Sequence, residues 1–448
     1  METVKQIAVA VIGCGTVGGA TGQILVQDRE YLKGRTGIDI NLKYVVDRDF
    51  TNARKLGIPE STYTTDLQVA LTDPEVQIVV ELVGGTTIAR DFIERSLTAG
   101  KHVVTANKAL LAHHGPELFA LARKQQVSVA FEASCGGGIP IIRAICDGLI
   151  ANRIDAVYGI VNGTCNYILT EMIDRGVGYG EALADAQKAG LAEADPTLDV
   201  SGGDSAHKIA IMASLAFGKR FDLDGIRIEG IDRLKLEDVK YGMELGYVIK
   251  LLAMAQRVDD GYCLRVRPVF ISHDHPLSWV AGPFNAISVY GHTTGHTMYY
   301  GRGAGGRPTG SAVVADILSI ATGSYQNIFA YRGMWPDLSE NGKIIAPDEL
   351  VNRFYLRLMV QDTPGVLAQI ASILGSHGIS IASVRQDEAP AAGLQQTLAT
   401  HDVPVIITVH PSRERNLLDA MAEISALDAV REGSSIISII DEHEEQIG

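Results

Sequence analysis

The chain has 448 residues, 46% of them hydrophobic and 21% charged, with a net charge of −14. That length exceeds one ordinary core and implies about three domains. The acidic balance and the absence of Lys/Arg runs exclude a nucleic-acid or anionic-membrane partner, and no uncharged apolar run is long enough for a transmembrane helix.

Five cysteines (Cys14, Cys135, Cys146, Cys165, Cys263) lack CxxC spacing. This argues against a zinc site and a disulfide framework, so a cytoplasmic location is expected. METVKQIAVAVIGCG runs straight into a strand-like segment, without the basic region and cleavage site of a signal peptide.

IAVAVIG reads as a buried strand, and GCGTVGGATGQIL turns from it into a helix. NLKYVVD (41–47) is a second strand. A helix-like DLQVALTD, the strand VQIVVELV (76–83), the helix ARDFIERSLTAG and the strand KHVVTA (101–106) follow. The helix GPELFALARKQQ then leads to a strand in VSVAFEAS. Short apolar runs alternating with amphipathic helices indicate βαβ units on a parallel, Rossmann-type sheet spanning 1–135.

From about residue 136 the pattern becomes α+β. Helices are predicted at 166–176, 180–189, 204–217 and 236–256, with β-like runs RIDAVYGIV, LRVRPVFIS and AISVYG. This domain runs to 304. Residues 305–340, beginning with an apolar helix after GRGAGGRPTG, are expected to rejoin the first domain. The turn-rich NIFAYRGMWPDLSENGKIIAPDEL ends in a linker, 341–352. Residues 353–448 then read βαββαβ, a ferredoxin-like unit.

Gly13-Cys14-Gly15-Thr16-Val17-Gly18 is a GxGxxG between a buried strand and a helix, the setting that lets backbone N–H groups approach a pyrophosphate. Asp47, at the end of the second strand, suits the ribose hydroxyls of NAD. Arg48 beside it suits the 2′-phosphate of NADP and tips the balance that way, with NAD left open. Thr105, Asn107 and Lys108 follow a strand end, where ligands of such sheets sit. Glu132 and the glycines of CGGGIP offer one carboxylate and several carbonyls. That set suits a hard monovalent cation, or is simply a hinge between domains.

EADPTLDVSGGDSAHK packs Glu193, Asp195, Asp199 and Asp204 ahead of Lys208, at the mouth of an apolar helix. Asp204 and Lys208 are four apart and share a face. A surface ion pair is the ordinary reading. A helix apolar almost all round is buried, however, and its entrance lines a cleft. Acids there can hold a substrate ammonium while the lysine moves a proton. With a nicotinamide supplying hydride, this is the equipment of carbonyl reduction.

These residues resemble homoserine dehydrogenase. The likeness covers residues 5–330 and is carried by VIGCGTVG, ELVGG, VVTANKALLA (103–112), FEASCGGGIPII, VNGTCNYI (161–168), GLAEADPTLDVSGGDSAHK (190–208) and GRGAGGRPTGSAVVADI (301–317). Where the family often has a proline after ELVGG, this chain reads TTIAR.

The resemblance implies NAD(P)-dependent interconversion of L-aspartate 4-semialdehyde and L-homoserine, in the monofunctional form. It makes Lys208 the proton donor and Asp204 and Glu193 substrate-binding acids, with Asp199 in the same motif. It puts Gly190 at the cofactor–substrate junction, Asn162, Gly163 and Thr164 along the cleft, Thr105 and Lys108 on the cofactor side, and Gly303 in the loop closing over the ligands. It also implies a sodium site formed by Glu132 and the carbonyls of Cys135, Gly137 and Ile139.

The C-terminal unit resembles an ACT domain. Its turn Asp362-Thr363-Pro364-Gly365-Val366-Leu367 would bind an amino acid effector, L-threonine by feedback logic, unless the domain serves assembly alone. Apolar β-runs in the middle domain suggest an intersubunit sheet, hence a homodimer or homotetramer. A non-catalytic nucleotide-binding amino-acid sensor is the alternative, and it has no use for Lys208 behind a cluster of acids.

Overall fold

The computed structural model describes residues 4–326, 337–386 and 402–443. Part of the turn-rich 327–350 stretch and the loop expected between two C-terminal strands lie outside those residues.

The first sheet is parallel. It contains β1 (Lys5–Ile12), β2 (Ile38–Val46), β3 (Tyr63–Thr64), β4 (Val76–Glu81), β5 (His102–Thr105) and β6 (Val129–Ala130), in the order β3-β2-β1-β4-β5-β6. This is the doubly wound arrangement, with its switch point between β1 and β4, where a nucleotide crevice forms. Val9, Val11, Ile78, Val80, Val103 and Val104 are fully buried, because helices cover both faces of the sheet. Helix Gly306–Thr322 returns the chain to this domain and lies against helix Thr16–Gln27. Their backbones come so close that a Cβ on Gly306 would stand 2.9 Å from the Thr16 carbonyl oxygen.

The second sheet holds β7 (Ile154–Ile160), β9 (Tyr247–Val258), β10 (Gly261–Ser272), β11 (Phe284–Gly291) and β12 (Gly295–Arg302), with the short β8 (Arg227–Ile228) beside β10. The C-terminal unit adds β13 (Val351–Gln361), β14 (Ile381–Gln386), β15 (Asp402–Arg413) and β16 (Ser435–Ile440), with helices Val366–Ser376 and Glu414–Ser425, as βαββαβ. The sheet runs β12-β11-β7-β9-β10-β16-β13-β15-β14. The C-terminal unit is therefore continuous with the middle domain. β16 pairs in parallel with β10 through Val269–Ser438, Phe270–Ile439 and Ile271–Ile440.

A buried lock reinforces that seam. Asp238 is inaccessible and accepts from Arg357 Nε at 2.6 Å and Nη2 at 3.0 Å, from Tyr355 Oη at 3.1 Å and from Ser435 Oγ at 3.0 Å.

Two expectations need correction. The helix over 236–256 stops at Glu244, and the rest is β9, in the middle of the sheet. Gly246, at φ +85°, turns the chain, and the apolar run behind it pairs with β10 along its whole length and with β7 over Ala253–Gln256. Periodicity alone does not separate a buried helix from a buried strand. VSVAFEAS keeps only Val129–Ala130 as strand before tightening into a 3₁₀ turn, Glu132–Ser134. The edge strand β12, GHTMYYGR, was not anticipated.

Candidate active site

Helix Gly203–Phe217 begins after Gly202, whose φ of +88° suits glycine, and is buried along most of its length. Asp204 lies in its first turn, where a carboxylate is favoured by the helix dipole. One turn later, the Lys208 Nζ donates to Asp204 Oδ2 at 2.7 Å and to the Val161 carbonyl at 2.6 Å. Asp204 is 5% exposed and Lys208 8%, so this is no surface pair.

Asn162 joins the acids. Its Nδ2 donates to Asp199 Oδ1 at 2.8 Å and to Asp204 Oδ2 at 2.9 Å. Its Oδ1 accepts from Cys165 N and caps helix Gly163–Arg175. Gly163 is required by close approach, since a Cβ there would meet the Pro283 carbonyl at 2.8 Å. Thr164 Oγ1 donates to the Leu191 carbonyl at 2.6 Å and fastens the loop that follows Gly190. Gly190 itself ends the preceding helix at φ +70°.

Lys108, expected on the cofactor side, is brought here: its Nζ lies 3.0 Å from Asp204 Oδ1. Asn107 caps its helix, Lys108–Lys124, by accepting from Leu110 N, and donates to the Gly85 carbonyl. Thr105 is buried, its hydroxyl donating to Glu81 Oε2 and accepting from Asn107 N. Glu81 Oε1 in turn accepts from Val83 N and Gly84 N, which shapes the ELVGG turn.

Burial alone would raise the Asp204 carboxyl, but Lys208 and Lys108 together hold it well below the usual carboxylate range. Burial lowers Lys108, and Asp204 more than restores it, so its ammonium stays charged above the ordinary lysine range. Asp199 is pushed up by burial, against the hydrogen bond from Asn162. Two ammonium groups and two carboxylates thus balance around one asparagine.

Glu193 is exposed and stands apart from this cluster, and so does Asp195. The Asp195 carboxylate closes its own turn on Thr197 N and Oγ1. Four converging acids were expected, and in this structure two converge, because the 190–196 loop is held by backbone contacts to Thr164 and Gln187.

The glycine loop follows β1. Gly13 adopts φ +89°, and a Cβ on Gly18 would overlap the Gly13 carbonyl oxygen, whereas one on Gly15 would meet nothing within 4 Å. Thr16 and Val17 open the helix. Asp47 Oδ2 accepts from Cys14 N at 2.5 Å and its Oδ1 from Arg48 N at 2.6 Å. The Arg48 side chain is exposed. Asn52, which the sequence did not single out, donates to the Cys14 and Gly15 carbonyls. The loop therefore offers an open cradle at Gly15 with its backbone held from below.

Gly137, at φ +56°, packs on Gly303, and a side chain on Gly303 would strike the Asn285 amide. Asn285 is 1% exposed, and among the described residues neither its Nδ2 nor its Oδ1 has a partner. No motif pointed to it, because its position shows only once β11 is folded against the glycines.

Glu132 Oε1 accepts from Ile142 N at 2.8 Å and Oε2 from Arg143 N at 3.0 Å, with the Arg143 Nε 3.5 Å away. Burial and the nearby Asp316 push the Glu132 carboxyl up to about 8. The Ile139 carbonyl accepts from Ile141 N, and Cys135, fully buried, turns its Sγ toward the Lys208 carbonyl at 3.8 Å. Among the described residues no cluster of three or more His, Cys, Asp or Glu side chains could hold a metal. A cation would rest on the one carboxylate and on carbonyls, which fits only a hard, weakly charged ion.

In the C-terminal unit Gly365, at φ +96°, starts helix Val366–Ser376, with Val366 buried and Leu367 partly exposed. Pro364 precedes it, and Asp362 Oδ1 accepts from Gln386 Nε2 at 3.1 Å.

Comparison with known proteins agrees with this architecture. Residues 13–132 match the family model "Homoserine dehydrogenase, NAD binding domain", 140–318 match "Homoserine dehydrogenase", and 354–428 match "ACT domain". A homoserine dehydrogenase of Pseudomonas aeruginosa is 43% identical, over 95% of this chain and 97% of that protein. The crystal structure of one from Thiobacillus denitrificans superposes with a TM-score of 0.89 at 41% identity, covering 98% of this chain and 99% of that one. A more distant hyperthermophilic archaeal homoserine dehydrogenase, solved in complex with NADPH, gives a TM-score of 0.60 at 26% identity, over 71% of this chain and 98% of the other. With these matches running from one end of the chain to the other, it belongs to the homoserine dehydrogenase family.

Proposed function

We propose that the chain reversibly reduces L-aspartate 4-semialdehyde to L-homoserine, with Lys208 as the proton donor. One observation carries this reading: the Lys208 ammonium spends two of its three N–H bonds on Asp204 and Val161, leaving one to present to a substrate oxygen. When bound, the nicotinamide supplies hydride to the carbonyl carbon. Lys208 gives its proton to the carbonyl oxygen and, in reverse, takes one from the hydroxyl. Lys108 adds positive charge beside Asp204 and steadies the developing alkoxide. Asp199 and Asp204 receive the substrate ammonium, Glu193 joining them once the 190–196 loop carries it inward, and Asn162, Gly163 and Thr164 wall the cleft.

Gly13, Gly15, Thr16, Val17 and Gly18 hold the pyrophosphate. NADP is the favoured cofactor, because Asp47 is already engaged by the Cys14 and Arg48 amides while the Arg48 side chain is free to meet a 2′-phosphate. The NADPH complex of the archaeal relative agrees. A sodium ion would be held by the Glu132 carboxylate and the carbonyls of Cys135, Gly137 and Ile139, and would brace that turn. L-threonine binds at Asp362, Pro364, Gly365, Val366 and Leu367. Trp279, Met298 and Tyr300, apolar and exposed around the edge strand β12, support a homodimer or homotetramer.

The test follows NADPH absorbance with aspartate semialdehyde. Lys208→Ala loses about 10²–10⁴-fold in kcat while its NADPH affinity is kept. No turnover by the wild type overturns the reaction, and equal rates overturn the role of the lysine.

A further inference from the structure

Strand β10 meets the C-terminal domain with one face and the catalytic helix with the other. Arg265 and Arg267 point to the same side, toward Glu414, the first residue of helix Glu414–Ser425. Arg267 Nη1 donates to Glu414 Oε1 at 2.8 Å, and Arg265 Nη1 stands 4.0 Å from Glu414 Oε2. All three side chains are buried. On the opposite face, Val266 lies under Gly202, where a Cβ would come within 3.1 Å of its Cγ1.

A second connection leaves the same arginine. Arg267 Nη2 donates to Glu229 Oε2 at 3.3 Å, and Glu229 N donates to the Val266 carbonyl at 2.8 Å. Two residues on, Ile231 N donates to the Val200 carbonyl at 2.9 Å. Between them Gly230 lies so flat against that turn that any side chain would overlap the Val200 oxygen. Asp199, next in the turn, is held by Asn162, which also holds Asp204, the partner of Lys208.

We propose that Arg267 and Glu229 are positioning residues for the reaction: anchored by Glu414, they set the 199–204 turn and, through Asn162, the aim of the Lys208 ammonium. The reason is electrostatic and steric together. A buried guanidinium cannot follow solvent when its carboxylate moves, so β10 and the Glu414 helix shift as one body. The 229–231 strip touches the acid-bearing turn backbone to backbone, with no side chain to absorb a displacement. This inference rests on the reading of Lys208 as proton donor.

Two variants test it, the first of which leaves every charge in place. Gly230→Ala pushes on Val200 directly. The double variant Arg267→Met/Glu414→Leu removes the ion pair with matched apolar volume. In each, kcat falls at least fivefold, the NADPH dissociation constant stays within twofold, and the solvent deuterium isotope effect on kcat rises above the wild-type value. Arg267→Lys with Glu414 intact recovers at least half of the lost kcat. If Gly230→Ala does not fold, the double variant decides. A folded double variant with kcat and isotope effect within twofold of wild type overturns the proposal. Lys208→Ala is run in parallel. If it is inactive while the other variants are unaffected, only the positioning role fails. If it is as active as wild type, the proton-donor reading fails and this inference goes with it.

Discussion

Asn162→Asp is nearly isosteric, and its consequences can be worked from the contacts. Aspartate caps a helix as well as asparagine does, so the bond from Cys165 N survives. What disappears is the pair of Nδ2 donations to Asp199 and Asp204. Hydrogen bonds to charged groups contribute about 1.5–3 kcal/mol each, so about 3–6 kcal/mol is at stake. In their place a third carboxylate faces two others in a buried site, where burial already pushes Asp199 up. The folded variant answers by holding a proton that the unfolded chain releases near pH 4.

The sign follows from that. A carboxyl raised in the folded state costs little below its unfolded pKa, and the cost grows by about 1.4 kcal/mol per pH unit above it, until the folded pKa is passed. Thermal unfolding at pH 5, 6, 7 and 8 should therefore show the variant closest to wild type at pH 5 and falling progressively below it, with kcat recovering on the acid side. A destabilisation that is the same at every pH would refute the picture of one amide bridging two carboxylates.

Gly18→Ala forces a methyl onto the Gly13 carbonyl and should abolish NADPH binding by fluorescence titration while the C-terminal half of the chain stays folded. Asp238→Ala strands the buried Arg357 and should cost about 3–5 kcal/mol, whereas Asp238→Leu combined with Arg357→Met should restore most of it, read by denaturant melts. Exchanging sodium for choline at constant ionic strength should lower the melting temperature of the wild type, and Glu132→Gln should remove that difference.

The parallel sheet and the ferredoxin-like unit were legible because buried parallel strands are continuous apolar runs and the glycine turns punctuate them. β9 was not, since an apolar run after Leu236–Glu244 continues a helical pattern until the neighbouring strands claim it. In the site, the Asp204–Lys208 spacing announced itself as a single helical turn. The attachment of Lys108 to the same carboxylate did not, because the two lysines lie on different helices a hundred residues apart and only the packed fold joins them. Asn285 and the Val161 carbonyl escaped for the same reason. An unmatched amide and a backbone oxygen leave no mark on a sequence.

The passage of one sheet through both the middle and the C-terminal units bears on how such a protein can be trimmed. Cutting the chain before Val351 would strip β16 from β10 and bare the backbone donors and acceptors of Val269–Ile271, a stretch of that strand whose side chains are apolar. Such an edge recruits other copies. A shortened enzyme of this design would need polar or proline substitutions along β10 to remain in solution.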